Sequence, residues 1–82
     1  LIAHRPGFVA PTLAARKIAT FDHLCDGRLA IHIIAGASDA EQHGDGDFAP
    51  KEERYRRAAE YIDVMKRSWS EDRRFDFAGE FY

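Results

Sequence analysis

The run Gly27-Arg28-Leu29-Ala30-Ile31-His32-Ile33-Ile34-Ala35-Gly36 constrains the fold more than any other part of this 82-residue chain. From Leu29 to Ile34 it is almost continuously apolar, as a strand covered on both faces should be. An amphipathic stretch precedes it and a polar loop follows. A histidine, His32, stands within the strand, and the small residues Ala35 and Gly36 come just before the chain leaves the sheet. In barrels of alternating strands and helices, active sites are built at that end of the strands.

The flanking segments carry helical signals. Leu1-Ile2-Ala3 reads as the end of a strand and His4-Arg5-Pro6-Gly7 as a turn. Pro11 suits the first turn of a helix, where its missing N–H costs nothing. Ala14, Ile18, Phe21 and Cys25 then recur on one helical face, widened by Leu13 and Leu24. Asp26-Gly27 ends that helix, with Gly27 free to turn left-handed. Beyond the strand, Gly36 to Phe48 reads as a polar loop with three Gly and four Asp/Glu. Pro50-Lys51-Glu52-Glu53 restarts a helix, its acids in the first turn where the dipole favours them. Tyr55, Ala58/Ala59, Ile62, Met65 and Trp69 form the expected buried stripe. Ser70 to Arg74 reads as a charged break, and Phe75 to Tyr82 as the start of a hairpin or an edge strand.

Strand, helix, strand, helix and hairpin in that order indicate a parallel α/β architecture. The chain opens on an apolar strand-like run without Met and closes on another. We therefore expect an internal segment of a larger enzyme, with unpaired strand edges. At this length it is one small unit with a modest core.

Composition narrows the function classes. A chain that is 45% hydrophobic is not disordered. Twelve basic against fourteen acidic residues give a net charge of −2, and no basic stripe marks a nucleic-acid surface. No apolar run is long enough to span a bilayer, and no signal peptide is visible. A single cysteine, Cys25, allows no internal disulfide and fits a reducing, cytoplasmic setting.

The combined pattern is similar to a known family. Arg5-Pro6-Gly7, Pro11-Thr12-Leu13-Ala14-Ala15-Arg16, Ala19-Thr20-Phe21-Asp22-His23-Leu24 and Gly27-Arg28-Leu29 resemble the bacterial luciferase-like flavin-dependent monooxygenases. Gly44-Asp45-Gly46-Asp47-Phe48, Glu53-Arg54-Tyr55, Glu60-Tyr61-Ile62-Asp63-Val64, Trp69 and the Phe75–Tyr82 ending extend the match over essentially all of residues 1–82. The alkanesulfonate monooxygenase type is the subgroup most resembled. The resemblance implies a partial (β/α)8 TIM barrel domain: the end of strand 3, helix 3, strand 4, helix 4 and the start of an insertion. It implies reduced FMN delivered by a separate flavin reductase, with O2 and a small organic substrate. Sulfonate-type members cleave a C–S bond, giving an aldehyde and sulfite. Relatives assemble as homo-oligomers.

By the same resemblance, His32 lies near the flavin ring, where a polar side chain can bond the isoalloxazine edge. The plainer alternative is a core histidine held by a backbone group. Ala35 stands where many relatives carry Thr; the hydroxyl is missing, but small residues let a flat ring approach. Tyr55, beside helix-terminal N–H groups, is a candidate contact for the FMN phosphate, although its spacing also fits the buried stripe. Relatives often have His at the Lys51 position. Ala3 is a small residue expected beside the ring. His4, where Leu is common, is the candidate substrate contact, against a plain loop residue. Arg5 offers charge for an anionic sulfonate, against a solvated loop arginine. Cys25 has no positioned base and reads as packing. Asp45-Gly46-Asp47 lacks the ligand spacing of a calcium loop. His23 and His43 have no metal-ligand spacing, so no metal site is expected. The competing functional class is a small non-catalytic α/β ligand-binding or interaction module. A dinucleotide site fails on the absence of a Gly-x-Gly-x-x-Gly loop.

Overall fold

The computed structural model describes residues 2–71 and 74–82. Leu1, in the expected first strand, and Asp72 and Arg73, in the expected charged break, lie outside them. The elements run β1 (Ile2–His4), α1 (Pro11–Leu24), β2 (Ile31–Ile33), α2 (Asp39–Gly44) and α3 (Lys51–Ser70). β1 and β2 pair in parallel, connected through α1. The chain is thus a mixed α/β unit with a βαβ core, as the alternation predicts.

Register pairs Ile2 with Ile31, Ala3 with His32 and His4 with Ile33. Bonds from Ile2 N to Ala30 O and from Ile34 N to His4 O, both 2.9 Å, extend the ladder at its ends. Residues paired in register share a face of the sheet. The face of Ile31, Ile33 and His4 lies against the helices. Ala3 and His32 share the opposite face and are exposed. A strand expected to be covered on both faces is therefore covered on one, in a slab only 36 × 29 × 16 Å.

α1 begins at Pro11 and closes on Cys25. Gly27 N donates to Asp22 O at 3.0 Å and Asp26 N to His23 O at 3.3 Å, the paired bonds of a Schellman cap. The expected left-handed turn at Gly27 is present, with φ of 74°, but Asp26 also turns left-handed, with φ of 53°. Aspartate is one of the few residues other than glycine to accept that conformation.

Within the expected polar loop stands a short helix, α2. Ser38 caps it: Oγ accepts from Glu41 N at 3.3 Å, and Asp39 and Glu41 fill the first turn. Ser38-Asp39-Ala40-Glu41 is the S-x-x-E arrangement that opens helices.

α3 buries Arg54, Ala58, Tyr61, Val64 and Met65. Of the expected stripe only Ala58 and Met65 are buried; Tyr55 and Trp69 are exposed and Ile62 half-buried. The buried face is turned back by one residue, about 100°, because two arginines on that side find loop partners. Ala14 and Ala15 of α1 meet Tyr61 and Met65 of α3, with Val9, Ile18, Ile33, Ile62 and Tyr82 around them. The alanines leave space for the large α3 side chains. Trp69 Nε1–H donates to Ala15 O at 2.8 Å and closes the far end of the pair. Phe21 and Leu24, expected on the buried face of α1, are exposed; the contact with α3 sits earlier in the helix, at Ala14 and Ala15.

The Phe75–Tyr82 stretch, expected as a hairpin or edge strand, forms no ladder. Its backbone donors go elsewhere: Glu80 N and Phe81 N both donate to the Glu60 carboxylate, at 2.6 and 2.8 Å. Arg56 holds the Glu80 side chain with two bonds of 3.2 Å. Tyr82 packs edge-on against Tyr61. The segment is a strap along α3. No helix among the described residues is long and apolar enough to cross a membrane.

Candidate functional site

Where β2 ends, the backbone turns at Gly36 and opens a groove of about 530 Å³ between the strand and α3. His32, Ala35 and Gly36 line it from the strand side, and Tyr55, Ala59 and Ile62 from the helix. Three residues singled out in the sequence, His32, Ala35 and Tyr55, thus meet in one place. The one-residue turn of α3 accounts for this. With Arg54, Ala58 and Tyr61 facing the core, Tyr55, Ala59 and Ile62 fall along the groove.

Neither the His32 imidazole nor the Tyr55 hydroxyl has a hydrogen-bond partner among the described residues, so both are free to meet a ligand. Tyr55 is 57% exposed, and the Lys51 ammonium lies 6.0 Å from its ring centroid. Ala3 does not line the groove; it stands beside His32 on the open face of the sheet.

His4, expected toward substrate, lies on the helix side. Its Nε2 is 2.8 Å from the Tyr61 hydroxyl, which lies 2.7 Å from the Val9 carbonyl. A carbonyl only accepts, so Tyr61 donates to Val9, and His4 Nε2–H donates to Tyr61. Burial lowers the His4 pKa from its usual value and pushes that of Tyr61 up to about 12. Both groups are held neutral by desolvation.

Sequence reasoning missed a polar network behind the groove. Arg54, 1% exposed, donates to Asp39, to Ala49 O and to Gly36 O at 2.7, 2.8 and 3.0 Å. Arg57 holds both oxygens of Asp47, at 3.1 and 2.6 Å. Gln42 donates to Asp47 and accepts from Arg5, each at 2.8 Å. Arg5 and Asp45 form an exposed pair, and the Arg5 guanidinium lies over Phe8. The charge expected for an anionic substrate is thus engaged within the chain. The Arg57 guanidinium holds the Asp47 carboxyl well below its ordinary range, at about 2. No single-sequence signal pairs Arg57 with a carboxylate ten residues back. The acidic pair Asp45 and Asp47 stood out only as a loop.

A parallel βαβ unit whose open groove and polar loops gather at the strand exits is compatible with a piece of a (β/α)8 enzyme barrel. The family model for luciferase-like monooxygenases matches residues 1–82, and the chain belongs to that family. The family typically uses flavin, so membership favours a flavin-dependent monooxygenase over the non-catalytic module.

Proposed function

We propose that these residues form part of the reduced-FMN pocket of an O2-using monooxygenase, acting on an alkanesulfonate or a related small organosulfur compound. The observation that carries it is the convergence of His32, Ala35 and Tyr55 on one groove. The groove fits such a group: apolar walls, small residues at the strand exit, and two unengaged polar side chains at separate positions.

Reduced flavin, when bound, supplies the electrons for oxygen activation. The chain's part is to bind and orient. His32 offers a donor and an acceptor to the ring edge. Ala35 and Gly36 allow close approach of a flat ring. Tyr55, with Lys51 nearby, offers its hydroxyl to the phosphate near the start of α3. Ala3 extends the same surface across the sheet. His4 is occupied by Tyr61, and we give it no substrate contact.

In this reading the chain is the end of strand 3 through helix 4 of the barrel, with the strap leading into an insertion. The open sheet face and unpaired strand edges support it, since the rest of a barrel would cover both. A flavin reductase is the partner that delivers the cofactor. The resemblance quoted above supports the sulfonate type over other substrates.

Anaerobic titration of the intact enzyme with reduced FMN tests this. His32→Ala and Tyr55→Phe each remove one hydrogen bond, so each should weaken binding by about tenfold. No flavin affinity in the unmutated enzyme overturns the proposal.

A further inference from the structure

The loop that leaves β2 lines the groove at Gly36 and Ala37, and it and the loop that leaves β1 each have a glycine pressed against a polar side chain. Gly7, after β1, has φ of 109°, and a Cβ there would stand 2.6 Å from the Arg57 guanidinium. Gly36, after β2, has φ of 100°, and a Cβ there would stand 2.7 Å from the Gln42 side chain. Both positions favour glycine by conformation, and a Cβ at either would have to displace the end of a side chain that belongs to the network.

The two pressing side chains belong to one network. Arg57 donates to Pro6 O at 3.3 Å and grips Asp47 through its fork. Asp47 also accepts from Gln42 Nε2 and from Ala49 N at 3.3 Å. Gln42 Oε1 accepts from Arg5, back in the first loop. The circuit leaves the β1 exit, crosses α2 and the loop after it, and returns through α3. Side chains of Arg57 and Asp47 are only 14% and 7% exposed. A buried ion pair adds little net stability over a well-packed apolar pair, but a planar fork that grips both oxygens of one carboxylate fixes geometry. Neither residue lines the groove.

We infer that Asp47 and Arg57, coupled through Gln42 to Arg5, are positioning residues that tie the two strand-exit loops together and so hold the Gly36 side of the flavin groove in place. The inference rests on the flavin reading above. It makes the loops a single mechanical unit: disturbing the pair on one side loosens the other.

Asp47→Asn, Arg57→Met and the double variant test it in the intact enzyme. Each single variant should speed amide hydrogen exchange at least tenfold in both residues 5–9 and residues 35–38. Each should raise the reduced-FMN Kd at least tenfold and leave kcat at saturating flavin within twofold. The double variant should lose no more than the worse single one, the sign of one coupled unit. Should a single variant fail to fold, the apolar replacement Asp47→Leu with Arg57→Met, which leaves no lone buried charge, carries the test. Exchange that rises in one loop only, or a Kd within twofold of the parent, overturns the inference while His32→Ala still reports on the flavin reading. An unmutated enzyme without flavin affinity sinks the flavin reading and this inference's flavin half together; the exchange data still judge the loop coupling.

Discussion

Asp26 holds a left-handed backbone with a side chain that gains nothing from it. Its φ of 53° serves the cap of α1, and no side-chain bond from Asp26 repays the conformation among the described residues. Glycine adopts the same geometry without steric cost. Relief of the left-handed strain, about 1–2 kcal/mol, exceeds the extra freedom that glycine gives the unfolded chain, about 0.5–1 kcal/mol, so Asp26→Gly should stabilise the fold, read as a higher melting temperature. A β-branched replacement should lower it, since such residues are genuine outliers there. A drop with glycine would show that the aspartate side chain matters to the cap. The same residue shows what a sequence can tell. Asp-Gly after an apolar helical face marks the stop, but which of the two residues carries the left-handed turn depends on where the helix bonds run out.

Among the elements, α3 teaches most. Hydropathy spacing located the helix and its length, and misjudged its face by one residue. The reason lies in Arg54 and Arg57. Hydropathy assigns arginine to solvent, yet here Asp39, Asp47 and three loop carbonyls accept from the terminal guanidinium nitrogens, which offsets most of the cost of burial, while the Nε of each arginine is left without a partner among the described residues. Those acceptors lie in other segments, beyond any local pattern. α2 is the opposite case: its Ser38-x-x-Glu41 opening is a local signal, and the reading of residues 36–48 as a polar loop did not use it. Of the candidate site, His32, Ala35 and Tyr55 were legible through family resemblance, whereas Gln42, Asp47 and Arg57 were not. α3 also anchors the strap through Glu60. Glu60→Ala leaves the Glu80 and Phe81 amides without their acceptor. Limited proteolysis should then cut within residues 75–82 several-fold faster, with the α1–α3 core intact. An unchanged cutting rate would mean that Tyr82 and Arg56 hold the strap without it.

At the scale of the whole molecule, two groups set the response to acid. Asp47 has its pKa lowered to about 2, chiefly by its hydrogen bond from Arg57. Its contribution is complete above the unfolded carboxylate range, about 4, and is lost as pH falls from there towards 2. His4 has its pKa lowered by burial. It favours the folded state above the unfolded histidine value, about 6.5, and that contribution fades as pH falls below it. Both act in the same direction, because the unfolded chain takes up more protons. Melting temperatures should rise from pH 2 to neutrality, with Asp47→Asn flattening the lower part of the curve and His4→Gln the upper part. A wild-type curve that is flat across this range would contradict both assignments.

Trp69 gives the molecule a private signal. It is the one tryptophan of these residues, and its indole is bonded to α1. It borders a cleft with Leu29 and Ile31, towards the entry end of β2, whereas Ala35 and Gly36 lie at the exit. Ultraviolet emission from that ring follows the separation of the two long helices. It should stay quiet when only the exit loops slacken. One optical channel thereby tells a collapsing scaffold from a loosened rim.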